Sequence, residues 1–422
     1  MSNAIPSGWE IKTLDEVATV FAGGTPSRSN PAYYDGSVPW VKSGEVNKRL
    51  IYRTEEAISE LAVKESSAKW AKRGSVLVAM YGATAGKVAK LMIDATLNQA
   101  VSAVNRKSET TDNDFLFYAI ENNSRELLNT VQGSGQPNLS GQLIKSLNLH
   151  IPPFPEQQKI ATILSSVDNV IEKTHAQIDK LKDLKTGMMQ ELLTKGIGHT
   201  EFKDSPVGQI PKAWGYERLE NVATIQTGIA INSKIIGYLV DIPYLRVANV
   251  QDGYLDLTEV KTLQIERNRL ERFMLRDEDV LVNEGGDFDK LGRGFIWKNQ
   301  ISPCVHQNHV FVVRTDQKKI LPMYFNYLSG SQYGKKYYLG CAKQTTNLAS
   351  INSSQLKLFP VLLPAVEEQE RICKILNSID LNIGNIEQKL FSIEMTKKAL
   401  MQDLLTGKVR VKTQKDMLKN VE

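Results

Sequence analysis

The segment "EQQKIATIL" (Glu156–Leu164) recurs in the chain as "EQERICKIL" (Glu368–Leu376), 212 positions later. The match extends without a gap to Thr194 and Thr406, with 14 identities in 39 positions. A repeat of this length indicates an internal duplication, which has to be recognised before any fold is assigned.

A second match lies at the front of each half. The segment "IPSGWEIKTLDEVATV" (Ile5–Val20) shares 7 of 16 positions with "IPKAWGYERLENVATI" (Ile210–Ile225). The chain is therefore predicted to contain two copies of one unit, each a globular body followed by a long helix. The predicted order is a first body at 1–150, a central helix at 151–196, a linker at 197–212, a second body at 213–362, a distal helix at 363–408 and a tail at 409–422.

The repeated segments carry apolar residues at steps of four and three, the spacing of a coiled-coil stripe. Thr174, Lys185, Met188 and their counterparts continue this spacing. The residues predicted to pair the helices are Ile160, Leu164, Val167, Ile171, Ile178 and Leu181 in the first copy, and Ile372, Leu376, Ile379, Ile383, Leu390 and Ile393 in the second. A lone helix of this length would leave its stripe in water, so we predict that the two helices pair with each other, antiparallel and with pseudo-two-fold symmetry. The alternative is that each helix packs only on its own body.

Composition describes an ordinary globular chain. It has 422 residues, 41% hydrophobic and 23% charged, with a net charge of +5. No apolar run approaches the ~20 residues of a membrane span and no signal peptide is recognisable, so we expect a cytoplasmic protein without a membrane partner. Three cysteines without a CxxC pair argue against a disulfide framework or a zinc site.

Each body contains short β-like runs followed by a helix-like stretch, which predicts an α+β domain made twice. The segments "VPWVKSGEV", "GSVLVAM" and "QAVSAV" have counterparts in "IPYLRVANV", "EDVLVNE" and "NHVFVV". The loops differ between the copies and hold side chains that contact base edges or phosphates. The candidate DNA-binding residues are Lys42, Asn47, Arg49, Lys87, Gln136 and Asn138 in the first body, and Arg246, Asn249, Gln251, Lys290, Arg293, Gln344 and Asn347 in the second.

Catalytic signatures are incomplete. "GATAGK" (Gly82–Lys87) lacks the spacing and the Ser or Thr of a phosphate-binding loop, so we interpret it and its counterpart (Gly285–Gly294) as hairpin-type turns. "DIPY" (Asp241–Tyr244) resembles an amino-methyltransferase signature but lacks its second proline, and a strand is favoured. "CVHQNH" (Cys304–His309) holds three metal-ligand types, yet the first half has "ATLNQA" there, which favours a strand or loop over a metal site.

The arrangement of body, "PPFPEQQKIATIL" helix, second body and "LLPAVEEQERICKIL" helix resembles the specificity subunit of type I restriction-modification enzymes over nearly the whole chain. The turns "GSGQPNL" and "KQTTNL" ahead of the helices and the segment "VLVAMYGATAGKVA" are also similar to that family.

The resemblance implies a non-catalytic chain that binds no cofactor or metal itself. Its two bodies would be target recognition domains, each reading one half of a split, asymmetric double-stranded DNA site, and the helices would set the spacer. The implied partners are two methyltransferase subunits and restriction/translocase subunits, which would use S-adenosylmethionine, ATP and Mg, with one copy of this chain per complex.

Two other classes of function remain open from the residues. One is a stand-alone methyltransferase or nuclease that uses Asp241–Tyr244 or Glu259–Lys261. The other is a coiled-coil scaffold whose bodies bind proteins. The first predicts turnover by the isolated chain, and the second predicts no DNA-sequence preference in any assembly.

Overall fold

The computed structural model describes residues 5–129, 138–230, 238–286, 291–344 and 349–412. The chain divides into two compact units, of which unit 1 comprises Met1–His175 with Gln388–Glu422 and unit 2 comprises Ala176–Glu387. Each unit therefore holds one body, the first part of the long helix that follows this body, and the last part of the other long helix.

The elements of the first half follow the predicted order of strands, helix and long helix. The strands are β1 (Glu10–Thr13), β2 (Ala18–Ala22), β3 (Val38–Val41), β4 (Leu50–Ile51), β5 (Glu56–Ile58), β6 (Lys69–Ala71), β7 (Val76–Ala79), β8 (Val88–Leu91), β9 (Ala95–Leu97), β10 (Val101–Arg106) and β11 (Asn148–Ile151). The helices are α1 (Leu14–Val17), α2 (Glu60–Glu65), α3 (Asn113–Asn129), α4 (Gly141–Lys145) and α5 (Phe154–Lys195), with 3-10 turns at Pro31–Tyr33, Ser43–Lys48 and Gly82–Thr84.

Two larger sheets and the two-stranded pair of β1 and β11 form the first body. A five-stranded sheet has the order β2-β10-β7-β8-β4, and a four-stranded sheet has the order β5-β3-β9-β6. Strand β7 is "VLVA", four fully buried residues that suit a central strand covered on both faces. Helix α3 begins where the Asp112 carboxylate accepts a hydrogen bond of 2.9 Å from the backbone N–H of Phe115, a side-chain cap.

The second half repeats these elements and adds a hairpin at its start. Its strands are β12 (Phe202–Ser205), β13 (Gly208–Pro211), β14 (Gly215–Arg218), β15 (Ala223–Thr227), β16 (Leu239–Leu245), β17 (Lys261–Glu266), β18 (Val280–Asn283), β19 (Gly285–Gly286), β20 (Gly294–Ile296), β21 (Val305–His306), β22 (Val310–Thr315), β23 (Lys343–Gln344), β24 (Ala349–Ser350) and β25 (Pro360–Leu363). Its helices are α6 (Arg267–Phe273), α7 (Pro322–Gly330), α8 (Gln332–Cys341), α9 (Ser353–Lys357) and α10 (Val366–Leu405), with 3-10 turns at Leu219–Asn221 and Val247–Asn249. The segment expected to be a linker thus contains the β12–β13 hairpin.

The sheet orders of the two halves correspond, except that β4 and β6 of the first half have no counterpart among the described strands of these sheets. The order β2-β10-β7-β8 recurs as β15-β22-β18-β20, and β5-β3-β9 recurs as β17-β16-β21. In both small sheets the central strand has one antiparallel and one parallel neighbour. The predicted α+β class and its duplication are confirmed. The segment "VPWVKSGEV" is a strand only to Val41, because a 3-10 turn begins at Ser43, and its counterpart "IPYLRVANV" is a strand only to Leu245, because a 3-10 turn begins at Val247.

The two long helices run antiparallel within each unit. In unit 1, Lys397 of α10 lies 2.7 Å from Asp168 of α5, and the later residue His175 lies 3.8 Å from the earlier residue Glu394. In unit 2, Lys182 contacts Glu387 at 2.9 Å, and Lys185 contacts Asp380 at 2.6 Å. In both units, contacts made by later residues of α5 reach earlier residues of α10. This direction confirms the predicted antiparallel pairing.

The residues of the predicted stripe are withdrawn from solvent to different degrees. The buried members are Ile160, Leu164, Ile178, Ile372, Leu376, Ile379, Ile383 and Leu390. The half-buried members are Val167, Ile171, Leu181 and Ile393. At the helix ends the stripe joins the body cores: Leu164 lies in one apolar cluster with Leu404, and Leu376 lies in one with Leu193.

The repeated "EQ" at the helix starts has a structural explanation. The buried carboxylate of Glu156 accepts a hydrogen bond of 3.0 Å from Trp9 Nε1 and pairs with Arg410. Gln157 bridges two loops, because its amide accepts from the Asp112 backbone N–H and donates to the Pro152 carbonyl. Both groups tie the body to the helix that follows it. Arg410 also brings the start of the predicted tail to the N-terminal segment.

Unit 2 repeats this arrangement with one change. Glu368 accepts 3.0 Å from Trp214 Nε1, and its second partner is His199 at 2.9 Å in place of an arginine. Gln369 again bridges two loops through its amide. The glutamate and glutamine that are identical in the two copies of the repeat therefore join each body to its helix.

No helix in the described part of the chain is long and apolar enough to cross a membrane.

Candidate nucleic-acid interface

In unit 1 the hairpin between β7 and β8 carries candidate DNA-binding residues at its tip. Strands β7 and β8 pair antiparallel, which confirms the hairpin interpretation of this turn. Lys87 is exposed at the turn, and Asn138, also exposed, forms a β-bridge with Tyr81 at its base. The structure thus brings Lys87 and Asn138, which are distant in sequence, to the same end of the central hairpin. Gln136 lies outside the described residues.

The corresponding end of unit 2 has the same framework. Strands β18 and β20 pair antiparallel, and β19, β24 and β23 form a small sheet that joins the turn to the loop before α9. Arg293 Nη1 lies 3.3 Å from Gln251 Oε1, so two candidates meet here. Gln344 belongs to β23, and the candidates Lys290 and Asn347 lie outside the described residues.

Two candidates of unit 2 take part in a local cap. Asn249 is only 3% exposed, and its amide accepts from the Arg246 backbone N–H while donating to the carbonyls of Asp256 and Glu259. All its hydrogen-bonding groups are therefore used inside the loop. The side chain of Asn249 is thus occupied within its own loop, and a contact between Asn249 and DNA stays a prediction. Arg246 is half-buried and lies 3.6 Å from the Glu259 carboxylate.

The candidates Lys42, Asn47 and Arg49 of unit 1 also differ in whether their side chains are exposed or paired inside the body. Asn47 is exposed, but the Lys42 ammonium pairs with Glu56 at 2.9 Å and with Glu55 at 3.5 Å. The hydrogen bond to Glu56 raises the pKa of Lys42, so it stays charged. Arg49 points inward, where its guanidinium pairs with two carboxylates in an internal network described below.

Sequence reasoning missed the exposed aromatic residues of the bodies. Tyr52 follows the 3-10 turn at Ser43–Lys48 and is 61% exposed, and Tyr254 follows the 3-10 turn at Val247–Asn249 and is 57% exposed. Tyr81, at the tip of the β7–β8 hairpin, is 36% exposed. Large exposed aromatic side chains are enriched at recognition surfaces. The signal available in the sequence was an aromatic residue inside a polar loop, as in "QDGYLD" (Gln251–Asp256).

The incomplete catalytic motifs lie in structural positions. Asp241–Tyr244 sits within β16, which confirms the strand interpretation, and Glu259 is an exposed loop residue. Burial raises the pKa of the Cys304 thiol to about 12, so it stays protonated. His306 is fully buried, with Nδ1 2.6 Å from the Val310 carbonyl. Among the described residues, no cluster of three or more His, Cys, Asp or Glu side chains is suited to hold a metal ion.

Comparison with known proteins places this architecture. The sequence profile described as "Type I restriction modification DNA specificity domain" matches residues 6–183 and again residues 211–395, one match for each half. The chain belongs to the type I restriction-modification DNA specificity family. Two matches in tandem agree with the duplication in the sequence and in the sheet order.

Individual relatives extend over nearly the whole chain. The type I restriction enzyme MjaVIII specificity subunit of Methanocaldococcus jannaschii is 27% identical over 419 residues, covering 97% of this chain and 94% of the relative. The EcoKI specificity subunit of Escherichia coli is 21% identical, covering 96% and 89%.

Solved structures of the family share the fold. A structure from a study of complex assembly and conformational transition of the type I restriction-modification system aligns with a TM-score of 0.61 and 15% identity, over 96% of this chain and all of that one. The S subunit from M. genitalium aligns with a TM-score of 0.56 and 14% identity, over 96% and 97%. As a type I specificity chain, the protein serves DNA recognition within a multisubunit complex and is not itself an enzyme.

Proposed function

We propose that each body of this chain reads one half of a split, asymmetric DNA site and that the long helices set the spacer between the halves. The observation that carries this proposal is the pair of matching sheet orders with unlike hairpin ends. One scaffold is used twice, while the turn at its tip changes from "GATAGK" (Gly82–Lys87) to "GGDFDKLGRG" (Gly285–Gly294). Loops on a rigid scaffold are where recognition residues concentrate. Unlike loops therefore predict unlike half-sites.

The helix lengths suit this role. Helix α5 has 42 residues and α10 has 40, so each is about 60 Å long at about 1.5 Å per residue. Half-sites one turn of DNA apart have centres about 34 Å apart, which a scaffold of this length can span. In this proposal residues 1–150 and 213–362 are the recognition domains, 151–196 and 363–408 are the spacing helices, 197–212 connects them and 409–422 is a tail.

The partners in this proposal carry out the chemistry. Two methyltransferase subunits dock along the helices and the adjoining bodies and use S-adenosylmethionine to methylate adenine. Restriction/translocase subunits use ATP and Mg to move and cut DNA. One copy of this chain directs all of them to the site and binds no cofactor itself.

The decisive experiment is co-expression with the methylating subunit, followed by mapping of N6-methyladenine in host DNA by single-molecule sequencing. We expect one motif with two unlike half-sites and a constant spacer. An active complex that methylates without such a motif would refute the proposal. Exchanging residues 213–362 with the corresponding domain of a relative should change one half-site and leave the other.

The hairpin tips are tested by two pairs of variants. Lys87→Ala and Arg293→Ala should weaken DNA binding by the complex, and each lost phosphate contact should reduce the slope of log K against log salt by about 0.9. Lys72→Ala and Lys298→Ala are matched controls, because Lys72 precedes β7 and Lys298 follows β20, at the other end of each hairpin. Equal effects of test and control variants would remove the tips from the interface.

A further inference from the structure

Arg49 lies at the centre of a charged network that joins the first body to both long helices. Its Nη2 lies 2.7 Å from Asp168 Oδ2 of α5, and its Nη1 pairs with Glu121 of α3. Lys397 of α10 approaches the other Asp168 oxygen at 2.7 Å, and the Tyr118 hydroxyl donates to Asp168 at 2.6 Å. Two cations and two carboxylates from separate elements thus neutralise one another around one point.

The geometry of Arg49 is specific to this role. The residue has a φ of 58°, in the left-handed region that a residue with a Cβ seldom adopts. Its guanidinium also covers the Phe117 ring, 4.7 Å from the ring centre. Burial opposes the charge of Arg49, but the carboxylates of Glu121 and Asp168 outweigh it and raise the pKa of Arg49 further. The planar guanidinium of Arg49 pairs with two carboxylates and stacks on a ring, and a lysine ammonium cannot reproduce this geometry.

Unit 2 keeps one half of this network and lacks the other. The Tyr327 hydroxyl donates to Asp380 at 2.8 Å, and Lys185 pairs with Asp380 at 2.6 Å, as Tyr118 and Lys397 do with Asp168. Glu45 caps its loop by accepting from the Lys42 backbone N–H, as Asn249 does from the Arg246 backbone N–H. Arg49 lies four positions after Glu45, and the residue four positions after Asn249 is Gly253. Gly253 has a φ of 83°, so the backbone turn is retained while the side chain is lost.

The two partners of Arg49 on the helix are also replaced. Counting from Tyr327 as from Tyr118, Asn326 stands in the place of Phe117 and Gly330 in the place of Glu121. A cleft of about 370 Å³ lies at this place in unit 2, and its lining includes Asp252, Gly253, Asn326, Tyr327, Gly330 and Asp380. In unit 1 the corresponding cleft is lined by Glu121 and Lys397, and within the described part of the chain its lining does not reach Arg49 or Asp168.

We propose that Arg49 is a positioning residue for half-site recognition, which holds the first body in one orientation on the helices, whereas the described part of the second body has no equivalent link. This inference rests on the proposed function, because the orientation of a body decides which bases its hairpin reaches. It also assigns Arg49 away from DNA. Recognition is then mechanically unequal: the first half-site is read by a fixed body and the second by a body with more freedom.

The first test measures the link without DNA. Hydrogen exchange on the full chain, analysed by mass spectrometry, compares residues 44–53 with residues 248–257. We expect slower exchange in the first segment, and faster exchange there in Arg49→Ala, in Arg49→Lys and in Arg49→Gly. Arg49→Gly keeps the left-handed backbone without strain, so it separates loss of the link from a failure to fold.

A graft provides the reciprocal variant. Gly253→Arg with Gly330→Glu and Asn326→Phe rebuilds the network in unit 2. A Cβ at Gly253 meets no atom within 4 Å, and one at Gly330 meets only Asp252 Oδ1 at 4.0 Å, so the new side chains have room at their origin, but the arginine at position 253 has to adopt a positive φ, as Arg49 does in unit 1. The graft should slow exchange at residues 248–257. No change in either segment in any variant would overturn the proposal.

The second test uses the methylating complex and mapped adenine methylation. Arg49→Gly should raise the fraction of methylated sites with a spacer one base pair too long or too short by at least about tenfold, or about 1.4 kcal/mol, while the bases of both half-sites stay the same. Relaxed base identity at the first half-site with an unchanged spacer would overturn the proposal in favour of a DNA contact. An unchanged motif and spacer distribution would overturn it as well. A wild-type complex without a split motif would instead refute the proposed function.

Discussion

Replacing His306 with leucine should remove a large part of the acid sensitivity of unit 2. The imidazole is fully buried, and its Nδ1 donates to the Val310 carbonyl. In the described part of the chain its Nε2 has no hydrogen-bond partner. The matched position of the first half is Leu97 in "ATLNQA", which is equally buried, so the duplicate itself supplies the replacement.

The magnitude follows from the pKa of His306. Burial lowers this pKa to about 4 from its ordinary value of 6.5; the hydrogen bond to Val310 opposes the shift and the charge of Arg314 adds to it. Between about pH 4 and pH 6.5, His306 is therefore protonated in the unfolded chain and neutral in the folded unit. Stability is complete above about pH 6.5 and falls as the pH decreases toward 4, by about 3 kcal/mol in total and about 2 kcal/mol at pH 5.

The assay uses the cysteines as reporters of unit 2. All three of them, Cys304, Cys341 and Cys373, lie in this unit. Urea unfolding at pH 8 and at pH 5 is followed by labelling with a dithiodipyridine and mass spectrometry, which detects each thiol as its surroundings unfold. Wild type should lose about 2 kcal/mol more than His306→Leu between the two pH values. At pH 8 the variant is somewhat less stable, because the Val310 carbonyl loses its donor, at a cost of about 1–3 kcal/mol.

A control and a direct measurement make the test decisive. His175→Leu removes an exposed histidine and should leave the pH dependence of unit 2 unchanged. With only five histidines, selectively labelled protein allows the titration of His306 to be followed by NMR. A His306 signal that titrates near pH 6.5, or equal pH dependence in wild type and His306→Leu, would refute the reasoning.

Two further predictions concern the helix frame. Leu376→Ala should lower the free energy of unfolding by about 2–5 kcal/mol, because the Leu376 side chain is fully buried. Leu381 is 60% exposed on the same helix, so Leu381→Ala should change the free energy of unfolding by less than about 0.5 kcal/mol. Urea titration measures both values, and equal effects would contradict the burial of the stripe. Glu368→Gln should cost about 1–3 kcal/mol, because the carboxylate accepts from Trp214 Nε1 and contacts His199, and a urea midpoint equal to that of wild type would show that these contacts contribute nothing.

The long-range organisation is predictable from the sequence because it repeats. Steps of four and three define the stripe in the order of residues alone, and they include Lys185 and Lys397, which lie half-buried and paired with Asp380 and Asp168. Periodicity indicates which face of a helix is covered, and this property is local enough to be visible along the chain.

The direction of loop side chains is not predictable in this way. Arg49, Asn249 and Lys87 look alike as polar residues in turns, yet the first points into an ion-pair network, the second caps its own loop and the third is exposed. The difference depends on partners 72 and 119 positions away for Arg49 and on a backbone turn for Asn249. No composition or spacing within the loop records these contacts.

The ion pairs in the helix stripe bear on how a spacer is defined. An apolar stripe alone tolerates a shift of one heptad, because each apolar residue then meets another. Lys185 with Asp380 and Lys397 with Asp168 occupy matching places, one pair in each unit, and each aspartate also accepts a hydrogen bond from a tyrosine of the adjoining body. A shifted register would leave both half-buried lysines without their carboxylates and would detach the two tyrosines. Partly buried ion pairs add little net stability, so we expect them to act here mainly on the specificity of register. The same contacts that align the helices therefore also hold the bodies, and in the proposed function this alignment would set the distance between the half-sites.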